Sequence, residues 1–144
     1  MYESQSICDF LEEKFQQGAP LYPKDLFERQ KVREICSLIN SGIQPLQNIG
    51  VQRVLKKDFG LEKVHEFSDH FVTRGLAVLE QSISDKKRFS VTNELTMADL
   101  FIAPQLYWCK NNHIDLSVYP KILRVEAAVN DANPLFDNFK LTQH

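Results

Sequence analysis

The chain lacks the marks of several protein classes. No apolar run in its 144 residues nears the ~18 that a membrane-spanning helix needs, so no membrane association through such a helix is expected. The opening residues carry an acid, Glu3, and no basic stretch, and do not read as a secretory signal. Three cysteines, Cys8, Cys36 and Cys109, are odd in number and far apart, which excludes a dense disulfide framework. Each sits within an apolar pattern, so buried free thiols and a reducing, cytoplasmic setting are expected. There is no CxxC pair, and the four histidines do not combine with cysteines at zinc-site spacing, so no metal is expected. A net charge of −2 supplies no general pull toward nucleic acid or acidic membranes. No stretch of two-residue alternation is long enough for a sheet. There is no internal repeat, no low-complexity segment and no arguable nucleophile–base pair.

What the chain does have is helical periodicity almost throughout, the pattern of one all-α domain. Ile7, Phe10, Leu11 and Phe15 form the stripe of a short amphipathic helix, stopped by Gly18-Ala19-Pro20. Asp25 caps a longer helix whose apolar positions are Leu26, Val32, Ile35, Cys36 and Ile39. That helix is expected to continue past Pro45 toward Leu55 with a kink. A third spans about Glu62 to Ser82, with Val64, Phe67, Phe71, Gly75, Leu76 and Leu79 facing inward. Ser84 to Asn93 reads as a polar loop. Thr96 and Asp99 form a capping box that opens a buried helix running from Leu100 through Trp108. Pro120 fits the first turn of a last main helix, ending near Asn130, and an irregular tail begins at Asn133-Pro134. The result is a globular bundle of five or six helices.

Two stretches carry chemical signal. Glu3-Ser4 precedes the first helix: a hydroxyl beside free amides suits an anion, and an adjacent acid suits an ammonium group. A plain helix cap is the competing reading. Ser41 to Gly50 places Gly42, Pro45 and three amides inside an expected helix, where Gly costs about 1 kcal/mol and Pro about 3 kcal/mol. Gln44, Gln47 and Asn48 fall at i, i+3 and i+4 and so share a face able to bond a polar ligand, or a solvated face beside a kink. Trp108, Lys110 and Asn111, at the end of the buried helix, are pocket candidates, with core placement the expectation for Trp108. His65 and His70 read as surface positions.

The run Ser41-Gly42-Ile43-Gln44-Pro45-Leu46-Gln47-Asn48, with Arg33 upstream, closely resembles the zeta class of glutathione transferases, also called maleylacetoacetate isomerases. Thr96-Met97-Ala98-Asp99 followed by Pro104-Gln105, and Asp115-Leu116 with Tyr119-Pro120, match the same family. Glu3-Ser4 followed by Ile7, Phe10, Leu11 and Glu12 resembles the last helix of that family's thioredoxin-like domain. The resemblance covers nearly the whole chain. It implies a glutathione transferase C-terminal-type helical bundle over residues 18–144, preceded at residues 1–17 by one helix left from a thioredoxin-like domain.

The implied activity is glutathione-dependent isomerisation of maleylacetoacetate in tyrosine and phenylalanine breakdown, or glutathione transfer. Glutathione is the implied cofactor and a small organic acid the substrate. By position, Ser4 and Glu3 match the residues that hold the γ-glutamyl end of glutathione, and Gln44, Asn48, Ile49 and Gly50 match further contacts. Asn111 stands where the family tends to carry an arginine for the substrate carboxylate. The family's thiol-activating serine-and-cysteine motif is not among the residues matched, so no catalytic residue is assigned. Little isomerase activity and weak glutathione affinity are expected of this chain alone. An apolar face on the first two helices is expected to stand uncovered, favouring a homodimer or a partner over that face. A non-catalytic helical interaction module or degenerate paralogue, or a non-catalytic binder of glutathione or of a hydrophobic ligand, is the alternative.

Overall fold

The computed structural model describes residues 2–132, and the tail expected from Asn133-Pro134 lies outside them. Every regular element among the described residues is helical. Helix α1 (Ser4–Lys14) buries none of its side chains, and Phe10, Leu11 and Phe15 of its apolar stripe are exposed. Two hydrogen bonds tie it to the segment that follows: the Tyr22 hydroxyl donates to Asp9 Oδ1 at 2.6 Å, and the Leu21 amide donates to Glu12 Oε1 at 2.7 Å. Helix α2 (Leu26–Ser37) starts at Asp25, whose carboxylate accepts the Glu28 amide at 2.9 Å. Its buried face is Val32, Ile35 and Cys36. Leu26, assigned to that face by spacing, is exposed, because the first turn precedes the part of the helix that meets the core.

The expected single kinked helix does not form. α2 gives way to a wider π-helical segment, Leu38–Ile43, then to the one-turn helix α3 (Gln44–Gln47). Asn48 is extended (φ −65°, ψ 129°), and α4 (Ile49–Phe59) starts after it. Pro45 thus sits in the first turn of a new helix, where its missing N–H and fixed φ are no burden. The Asn48 side chain accepts the Gly50 amide at 2.7 Å, capping α4, and left-handed Gly60 (φ 65°) ends it.

Helix α5 (Val64–Ser82) buries Val64, Ser68, Val72, Gly75, Leu76 and Leu79. Phe67 and Phe71, expected inside, are half-buried and pack ring against ring at 4.9 Å, because the helix is turned to present Ser68 and Val72 inward. Helix α6 (Met97–Asn111) opens on the capping box. Asp99 Oδ2 accepts from the Thr96 amide and hydroxyl, both at 2.8 Å, Oδ1 accepts the Ser90 amide at 2.9 Å, and the Asp99 amide bonds the Thr96 carbonyl at 3.1 Å. The bond from the Ser90 amide helps tuck the expected polar loop inward, and Phe89, Ser90 and Val91 are buried. Helix α7 (Pro120–Ala132) receives its N-terminal cap from α5: Glu80 accepts the Lys121 and Ile122 amides at 2.9 and 3.0 Å. The core lies where α2, α5, α6 and α7 meet, with Ile35, Ile39, Leu76, Ile102, Leu106 and Ile122 among its fully buried members. No helix among the described residues is long and apolar enough to cross a membrane.

Candidate functional site

The breaks at Gln44 and Asn48 matter because they open a cleft. The segment from Gln44 to Val51 forms one wall, and the C-terminal half of α6 forms the other. Between them is an open space of about 1010 Å³. Gln44, Pro45, Asn48, Ile49, Gly50 and Val51 line the first wall; Pro104, Tyr107, Trp108, Asn111 and Asn112 line the second; Asn40 and Gln47 complete the lining. Its polar side-chain groups, among the described residues, are carboxamides, one phenol and the Trp108 indole N–H, and its apolar surface comes from Ile49, Val51, two prolines and the Tyr107 and Trp108 rings. Such a lining can bind a polar, peptide-like molecule through hydrogen bonds and hold a hydrophobic portion against the aromatic wall.

Each amide is placed by local structure. Gln44 opens α3 and is half-buried, as is Asn40, whereas Asn111 is exposed; no hydrogen bond to a described residue engages any of the three side chains. Asn48 faces the cleft while its Oδ1 holds the Gly50 amide. A Cβ at Gly50 would come within 3.0 Å of that Oδ1, so glycine lets the cap close tightly. Asn112 Nδ2 donates to the Trp108 carbonyl at 2.9 Å. Gln47 does not share an open face with its neighbours as its spacing suggests: its amide is buried and bonded to Gln105.

Gln44, Asn48, Ile49, Gly50 and Asn111 are therefore brought together. Glu3 and Ser4 are not part of this lining. Both are exposed at the start of α1, Glu3 in a left-handed conformation (φ 66°), and neither makes a side-chain cap bond there. Lys110 stands beside Asn111 in sequence but pairs with Glu126 on α7 and does not line the cleft. Trp108, expected in the core, is half-buried, packing on the core with part of its ring and lining the cleft with the rest. Tyr107, Asn40 and Asn112 were not singled out by the sequence; only the amide-rich end of the buried helix hinted at the last.

The thiols offer no nucleophile. Burial pushes Cys36 up to about 12, and burial likewise carries Cys109 up to about 11 against a partly offsetting hydrogen bond from Gln105. Cys8 is also raised, by burial and then by the Asp9 charge. Thiolate, the reactive form, is scarce at neutral pH in all three.

No family model matches the chain. Its sequence is 39% identical over 137 residues to the probable maleylacetoacetate isomerase 2 of Drosophila melanogaster, covering 94% of this chain and 58% of that protein. Its fold superposes with a TM-score of 0.86 on the crystal structure of maleylacetoacetate isomerase from Anaeromyxobacter dehalogenans, with bound dicarboxyethyl glutathione and citrate in the active site, at 37% identity and covering 95% of this chain and 61% of that one. It also superposes, with a TM-score of 0.84 at 28% identity, on maleyl pyruvate isomerase, a bacterial zeta-class glutathione S-transferase, covering 91% and 64%. The chain spans between 54% and 60% of the length of the first three curated relatives it matches.

Proposed function

The chain belongs to the maleylacetoacetate isomerase and zeta-class glutathione transferase family, and on that premise we propose that its cleft is the helical wall of a site for glutathione and a small organic acid. The reaction served is glutathione-dependent cis–trans isomerisation of the maleylacetoacetate type, or glutathione transfer. Gln44, Asn48 and the Ile49-Gly50 backbone hold the peptide part of glutathione. Asn111, with Trp108 and Tyr107 beside it, faces the acid. The carrying observation is that the amides from α3 and α4 and the aromatic end of α6 converge on one cleft.

The part played by these residues is binding and orientation. The lining offers hydrogen-bond donors, acceptors and apolar surface, and the chain's own thiols are held neutral. We assign residues 1–17 to the end of a thioredoxin-like unit and Glu3 and Ser4 to the γ-glutamyl end of glutathione. Support for this comes from the exposed stripe of α1 and its attachment through Asp9 and Glu12.

The test uses the single tryptophan, Trp108, which lines the cleft. Glutathione at millimolar concentration should shift its emission, and Gln44→Ala and Asn48→Ala should each weaken that response several-fold. An emission unchanged by glutathione and by dicarboxyethyl glutathione would sink the reading.

A further inference from the structure

Two amides, Gln47 of the cleft lining and Gln105 buried beneath it, have no role assigned in the reading above. Gln47 on α3 and Gln105 on α6 are 58 residues apart in sequence and meet in the interior, 8% and 0% exposed. Gln47 Nε2 donates to Gln105 Oε1 at 3.2 Å, and Gln105 Nε2 donates to Gln47 Oε1 at 2.9 Å. The two bonds close a ring, as in an amide dimer. The second N–H of Gln105 is directed to Cys109 Sγ, 3.5 Å away and one turn along α6. That contact orients the Gln105 amide, and the ring passes the orientation on to Gln47.

A buried amide pair adds little net stability over an apolar pair of the same shape. It adds a defined spacing and direction, because the bonds form only in one geometry. The spacing here is between the two walls of the cleft. No other hydrogen bond among the described residues joins segment 44–51 to segment 104–112. The remaining ties of α3 run elsewhere: Ser68 Oγ donates to the Leu46 carbonyl at 3.0 Å, and Gln52 Nε2 donates to the Gln47 carbonyl at 3.3 Å and to Ser68 Oγ at 2.9 Å. Those bonds fix the turn against α4 and α5. The distance from the turn to Trp108 and Asn111 is left to the glutamine ring.

We infer that Gln47 and Gln105 are positioning residues that set the width of the cleft and aim its carboxamide wall at the ligand. The inference rests on the reading that the cleft takes a glutathione-type ligand. It makes affinity depend on the ring bonds themselves and not only on a filled interior.

The experiment compares Gln105→Met, which keeps length without the bonds, with Gln105→Glu. A protonated glutamate restores the ring, its O–H donating to Gln47 Oε1 and its C=O accepting from Gln47 Nε2. An ionised one can only accept. Burial favours the neutral acid, so the ring persists at the acid end and is lost as the pH rises. The affinity for S-hexylglutathione is read from Trp108 emission between about pH 5 and about pH 10, a range that spans the ordinary glutamate value and the values of about 8–9 that full burial imposes, with circular dichroism confirming the folded state at each point. Gln105→Met should bind about 10-fold more weakly than wild type at every pH, the effect of roughly one lost bond. Relative to wild type, Gln105→Glu should match it at the acid end and fall toward Gln105→Met as the pH rises. Where either Gln105 variant fails to fold, Gln47→Met and Gln47→Glu make the same comparison from the other side of the ring. A methionine variant within twofold of wild type, or a glutamate variant whose affinity tracks wild type across the range, overturns the inference alone. A wild type whose Trp108 does not respond to S-hexylglutathione removes the glutathione reading and the inference together.

Discussion

Gly75→Ala is expected to lower stability, against the direction that helix propensity alone dictates. Alanine is better than glycine in a helix interior by about 1 kcal/mol. Gly75 lies within α5 and its φ is negative, so its backbone does not require glycine. Its neighbour does. A Cβ at this position would stand 2.6 Å from Ile43 Cδ1 and closer still to Ile43 Cγ1. Ile43 is fully buried at the end of the π-helical segment, so its side chain must shift within the packed interior to admit a Cβ. Overpacking of a buried site costs roughly 1–3 kcal/mol, and this clash belongs at the upper end. Subtracting the propensity gain leaves a net loss of about 1–2 kcal/mol, and each kcal/mol lowers Tm by roughly 2–4 °C at this chain length. Ile43→Ala alone should cost about 2–5 kcal/mol through the cavity it leaves. In the double variant the new methyl occupies part of that cavity without a clash, so the combined loss should fall short of the sum by at least ~1 kcal/mol. Urea unfolding followed by far-UV circular dichroism measures all four corners of the cycle. A Gly75→Ala variant as stable as wild type, or two strictly additive losses, would refute the seating of Ile43 against the α5 backbone.

Asp99→Ala should cost about 3 kcal/mol or more, since the buried Ser90 and Thr96 amides both lose their carboxylate acceptor; a loss below ~1 kcal/mol in urea unfolding would contradict this. Thiol labelling of the native chain should reach Cys8 first and leave the buried Cys36 and Cys109 untouched until denaturant is added. Native labelling of all three at one rate, read by mass spectrometry, would count against it. The same raised values make stability pH-dependent at the alkaline end. A thiol that stays neutral in the folded chain but ionises above 9.0 when unfolded favours unfolding as the pH climbs from about 9 toward 12. Urea midpoints in that range should decline less steeply in a Cys36→Ala, Cys109→Ala variant than in wild type.

The parts of the fold set by neighbouring residues were legible. Asp25, the Thr96–Asp99 box and Pro120 act within one helical turn, and each stands where its chemistry places it. The π-helical segment was not legible. Pro45 signals a disturbance, but whether a helix kinks, widens or restarts depends on Ile43 meeting Gly75, 32 positions away, and no local pattern reports that contact. The face of α5 was misjudged for a related reason: aromatic size pointed to Phe67 and Phe71, while Ser68 is taken inward by its bond to the Leu46 carbonyl. Of the candidate site, Gln44 and Asn48 were found on one shared face and Asn111 at the end of a different helix, and bringing the two sets onto one cleft needed the structure. Gln47 was read as facing a ligand when it faces Gln105. A glutamine in the middle of the apolar run from Leu100 to Trp108 was the available sign of a buried partner.

The extended backbone at Asn48 has a consequence for how such a cleft can diverge. Before the break, Ile39 and Ile43 of the π-helical segment are buried in the core, whereas α4 beyond it buries none of its side chains. Substitutions at Ile49 or Val51 alter one wall without disturbing the packed interior, so lineages can change what the cleft prefers at small cost to folding. Diversity among descendants of this fold should therefore gather on the outward surface of α4, while Ile43, Gly75 and the glutamine ring hold still beneath it.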